Sequence, residues 1–67
     1  MITITVNGEQ RIAKSGSTVT DLLREMGLDS RRVAIERNLE ILSRPAWQMT
    51  PIEAGDRYEI LQFVGGG

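Results

Sequence analysis

One stretch limits what this chain can fold into: Ser17 to Leu28 reads as a short amphipathic helix with both ends written into it. Val19, Leu22, Leu23 and Met26 fall at i, i+3, i+4 and i+7, a single apolar stripe. Ser17 or Thr18 is the N-cap, and Thr18-Val19-Thr20-Asp21 forms a capping box with Asp in place of Glu. Gly27 occupies the left-handed position after the last turn, with Leu28 placed for the accompanying apolar contact. The helix is about two and a half turns long, too short to be stable alone in water. Its stripe must therefore lie on a sheet. In 67 residues there is room for one domain, which buries only about 60% of the surface of its unfolded chain.

The sheet is legible on both sides of the helix. Ile2-Thr3-Ile4-Thr5-Val6 alternates with period two and places Ile2, Ile4 and Val6 on one face. Asn7-Gly8 is a hairpin turn, since a type I′ turn needs positive φ at both central positions. Glu9 to Lys14 returns as a mostly polar edge strand, closed by Ser15-Gly16. Beyond the helix, Asp29 to Arg32 is a polar connector. Val33-Ala34-Ile35 and Leu39 to Leu42 are two short strands joined by a turn at Arg37-Asn38. Pro45 excludes central-strand pairing for Ser43 to Trp47, where a helical turn anchored by Trp47 is expected. Thr50-Pro51 is a further break, and Glu53 to Asp56 is a tight turn before a last strand, Arg57 to Val64.

Hairpin, helix, then more strands is an α+β order, one mixed β-sheet curled over one α-helix. The last strand is the longest and most apolar of the second half. The path from the first strand to the last contains the helix, as a parallel pair requires. These features place first and last strands side by side at the sheet centre, the ubiquitin-like β-grasp layout. The domain is read as residues 1–64, followed by a flexible glycine tail at 65–67.

Chemistry of the usual kinds is scarce. The chain has no cysteine and no histidine, which removes thiolate nucleophiles, imidazole bases and the common zinc or iron ligands. No metal site and no bound cofactor are expected. Eight basic and nine acidic residues nearly cancel without clustering, which argues against nucleic acid as a partner. No run approaches the roughly 20 apolar residues of a membrane span, and the opening residues lack the features of a signal peptide. A cytoplasmic protein that does not act on membranes is the expectation. The acidic residues, Asp56 among them, are spread over every element and read as solvated surface rather than a catalytic pair. Gly8, Gly16 and Gly27 are explained by turns and the helix end, and no phosphate-cradling loop is present.

What remains is the end of the chain. Tyr58 and Ile60 should face the helix, and continuing the alternation puts Leu61 and Phe63 on the outer face, as a partner-docking patch beside the tail. Gly65-Gly66-Gly67 carries no side chain and reaches about 10 Å when extended. Such a strip fits a channel too narrow for any Cβ and presents the Gly67 carboxylate at its tip.

The stretch Val33 to Ile41, with Arg44, Trp47, Gly55-Asp56 and the end Phe63-Val64-Gly65-Gly66-Gly67, resembles the ThiS family of ubiquitin-like sulfur carriers of thiamine biosynthesis. The resemblance runs from Met1 to Gly67. It departs from the pattern of many members at Asn38-Leu39, where they have Asn-Gly, and at Ser43-Arg44-Pro45. It implies a carrier that is not itself an enzyme. An E1-like (ThiF-like) adenylyltransferase would use ATP and Mg to adenylate Gly67. A sulfur donor such as a cysteine desulfurase would then supply the sulfur of a Gly67 thiocarboxylate. A ThiG-like thiazole synthase would consume it, with Gly65 and Gly66 inserted in the partner's active site. Two alternatives share fold and tail: the small subunit of molybdopterin synthase, and a ubiquitin-like protein modifier.

Overall fold

The computed structural model describes residues 1–64. Strands Ile2–Val6 (β1) and Glu9–Ala13 (β2) precede helix Val19–Glu25 (α1). Val33–Arg37 (β3), Glu40–Ile41 (β4) and Arg57–Gln62 (β5) complete one five-stranded sheet in the order β2-β1-β5-β3-β4. β1 and β5 are parallel, with Thr5 opposite Arg57 and Val6 opposite Tyr58, and the remaining pairs are antiparallel. The α+β, β-grasp reading holds, including the central position of the last strand and the edge position of the second.

The helix ends are where the sequence put them. Asp21 N–H donates to Thr18 Oγ1 (3.3 Å) and Thr18 N–H to Asp21 Oδ2 (2.9 Å), a reciprocal capping box. At the other end Gly27 adopts φ +71°, Gly27 N–H donates to the Arg24 carbonyl, and Leu28 N–H donates to that of Leu23. That pair of bonds is the Schellman arrangement, which satisfies carbonyls the helix itself leaves open. The regular part is seven residues, about two turns rather than two and a half, because Met26 already serves as the cap. Val19, Leu22 and Leu23 are buried on Ile4, Val6, Val33, Ile35, Tyr58 and Ile60 of the sheet side. Each such side chain contributes about 1.5–3 kcal/mol when fully removed from water.

Several local expectations shift. The turn after β3 is centred on Asn38-Leu39, one residue later than expected, with both residues at positive φ (51° and 72°). Leu39 thus takes a backbone conformation that glycine occupies without strain, and its side chain points to solvent at 81% exposure. The polar connector winds into a 3-10 turn, Ser30–Arg32, capped by Asp29. The expected helical turn around Trp47 is a 3-10 segment, Arg44–Met49, with the indole N–H donating to the Leu42 carbonyl at 2.9 Å. Arg44 lies 4.8 Å over the indole ring and donates to the Ser30 and Val33 carbonyls. Strand β5 stops at Gln62 instead of Val64, although Phe63 N–H still donates to Arg32.

One carboxylate corrects the reading of the acidic residues. Asp56 is buried (5% exposed), not solvated. Its oxygens accept from Glu53 N–H (2.9 Å), Tyr58 OH (2.8 Å), Asn38 Nδ2 (3.2 Å) and Arg37 Nε (3.1 Å). Burial alone would raise the Asp56 pKa, but these donors, led by the Glu53 backbone, outweigh it and hold the carboxyl below its ordinary value. Tyr58 is pushed the other way, to about 12, by burial and by the Asp56 carboxylate that its hydroxyl faces. Arg37 joins β3 to this cluster at the foot of β5, and Asn38 Oδ1 accepts from Arg57 N–H.

Because the folded-state pKa of Asp56 is depressed, its contribution is present above the unfolded value near 4 and is lost as pH falls through the folded value. Asp56→Asn should therefore be less stable at pH 7, by about 3 kcal/mol, and lose less stability on acidification below pH 4. Urea melts across pH 2–7 check this, and parallel curves for the two proteins would contradict it.

Candidate functional site

The outer face of the sheet, away from α1, is where side chains converge without burial. β5 alternates as expected: Tyr58 and Ile60 are buried (0% and 7% exposed), while Arg57, Glu59 and Leu61 face out. The antiparallel register sets Leu61 beside Ala34 and Glu59 beside Glu36, and Ile41 of β4 beside Glu36 from the other side. Together with Ile35 these residues line an open groove of about 360 Å³. Leu61 is 67% exposed and Phe63 56% exposed, so both proposed docking residues lie in solvent on the flank leading to the tail. The remaining site assignments, Gly65, Gly66 and Gly67, lie outside the described residues.

Ile41 is the member of this face that sequence reasoning passed over. It is 84% exposed, and a two-residue strand shows too little alternation to reveal which way its side chains point. Leu39 (81%) and Val64 (96%) extend the apolar exposure to the two margins. Ile41 and Leu61 line one groove, and neighbouring exposed apolar groups of this kind mark an interaction surface. Among the described residues no cluster of three or more His, Cys, Asp or Glu has the arrangement of a metal site. Nor is any described helix long and apolar enough to cross a membrane.

What decides the family is how far the likeness extends: residues 4–67 match the family model of ThiS. The chain belongs to the ThiS family. It is 37% identical over 54 residues to the sulfur carrier protein ThiS of Bacillus subtilis, covering 81% of this chain and 82% of that one. The crystal structure of the thiamine biosynthesis protein (ThiS) from Geobacter metallireducens superposes with a TM-score of 0.83 at 35% identity. That match covers 98% of this chain and all of the other. A thiazole synthase of Paramagnetospirillum magneticum is 45% identical over 64 residues, which are 96% of this chain. The chain spans about a fifth of the length of that synthase and of a second one, from Magnetococcus marinus. A ThiS-family chain and thiazole synthases thus share a segment of the same length.

Since Leu61 and Phe63 contribute little to the core, Leu61→Asp and Phe63→Asp should each move the thermal midpoint by less than about 3 °C. Thermal denaturation followed by circular dichroism checks this, and a collapse of the folded state would return both residues to the core.

Proposed function

We propose that this chain is a sulfur carrier of thiamine biosynthesis whose working group is the Gly67 carboxylate. The support is the ThiS-family match, which continues through Gly67, on a body whose described surface offers a docking face and no catalytic constellation. A carboxylate is a poor electrophile, so an ATP- and Mg-dependent adenylyltransferase first joins it to AMP, releasing pyrophosphate. The terminal sulfur of a cysteine persulfide, as formed by a cysteine desulfurase, attacks the carbonyl carbon and expels AMP. A thiol then cleaves the sulfur–sulfur bond, leaving the Gly67 thiocarboxylate.

A thiazole synthase takes that sulfur into the thiazole ring. The two thiazole synthases that share this segment favour that consumer over other sulfur acceptors. In this scheme Leu61 and Phe63 dock the partner, and Gly65 and Gly66 thread the channel because only side-chain-free links fit it. The carrier performs no catalysis of its own, and the cytoplasm, where ATP is plentiful, is its proposed location.

Intact-mass measurement after incubation with the adenylyltransferase, ATP, Mg and a persulfide donor tests this. The expected product is heavier by the difference between one sulfur and one oxygen. Deleting Gly67 should abolish that product while leaving the thermal midpoint unchanged. Leu61→Asp should lower the yield at limiting enzyme. A truncated chain that still supports thiazole formation would refute the assignment.

A further inference from the structure

The parallel ladder between β1 and β5 ends early, and a side chain ends it. β5 residues alternate in the direction of their backbone groups. Arg57 accepts from Asn38 and Phe63 donates to Arg32 on the β3 side, while Asp56 and Tyr58 accept from Thr5 and Asn7 on the β1 side. Ile60 also faces β1, but there the chain has already turned away at Asn7-Gly8. The Asn7 carboxamide replaces the missing strand: its Oδ1 accepts from Ile60 N–H at 2.7 Å and its Nδ2 donates to the Ile60 carbonyl at 3.2 Å. By the same alternation the N–H and C=O of Gln62 point to the β1 side, and no described residue pairs with them there. Meanwhile the β3 side of the same segment is occupied through Phe63.

We infer that the free edge of β5 at Gln62, opened by the Asn7 clasp, receives an extended segment of the thiazole synthase. That segment adds a strand beside the last residues of β5. This rests on the proposed function. An extended peptide is the element whose backbone donors and acceptors match a strand edge, and it grips main chain without regard to side chains. The opening is one to two residues long and continuous with Leu61 and Phe63 on the outer face. It is too short to recruit a second copy of this chain as a stable sheet partner. Its place, three residues before Gly65, lets the same enzyme hold the strand and receive the tail.

The test uses the full carrier and purified thiazole synthase. In the free carrier the Gln62 amide should exchange with solvent far faster than those of Leu61 and Phe63. In the complex it should slow by about tenfold or more. Gln62→Pro removes the N–H at a position where proline is compatible with an edge strand. It should weaken binding by about tenfold, whereas Gln62→Ala, which keeps the N–H, should bind as the parent does. An unchanged Gln62 exchange rate in the complex, or equal affinity of Gln62→Pro and the parent, overturns the inference. So does failure of the parent to bind the synthase. Exchange on the unsubstituted protein decides the matter if Gln62→Pro does not fold. Thiocarboxylate formation by the adenylyltransferase, measured separately by mass, tells failure of this inference from failure of the carrier assignment.

Discussion

Everything in this molecule leans on a parallel pairing of its two ends that is short by any standard. Only Thr5–Arg57 and Val6–Tyr58 stand in register between β1 and β5. Parallel pairs hold somewhat less firmly per residue than antiparallel ones and need a long crossover, so the ordering entropy is large for the number of bonds formed. The chain offsets this with polar side chains instead of a longer ladder. Asn7 clasps Ile60 at the top. At the foot, Asp56 gathers Arg37, Asn38, Tyr58 and the Glu53 backbone around the start of β5. Between these two fastenings, Tyr58 and Ile60 are buried against the core that α1 completes.

How much of this the sequence discloses follows from distance along the chain. The helix caps, the Asn7-Gly8 turn and the inward set Tyr58 and Ile60 depend on neighbours three or four residues away, or on strict alternation, and were legible. Parallel pairing of the ends was legible too, because few arrangements bury one short helix under this many strands. Asp56 was not: its donors Arg37 and Asn38 lie 19 and 18 residues earlier, and a carboxylate after Gly55 looks like any solvated turn. The Asn7 clasp spans 53 residues and reads locally as nothing more than a hairpin asparagine. Leu39 misled the placement of its turn, since leucine seldom takes positive φ, and the Asn38 bonds to Arg57 and Asp56 are what hold the chain there.

As a ThiS-family body, the domain divides its labour between its two sheet faces. The inner face and α1 hold the fold, while Ile41, Leu61 and Phe63 stay in solvent and add little to the core. The chain has no cysteine and no histidine, so its body carries neither a thiolate nor an imidazole.

Trp47 carries a consequence of a different kind. As the sole tryptophan, it is sealed among core residues on the helix side, beneath the Arg44 guanidinium and bonded to Leu42. Its emission is therefore an optical gauge of whether the body is intact, and it lies on the far side of the sheet from Ile41 and Leu61. The molecule thus comes with a built-in fluorophore that registers melting of the core.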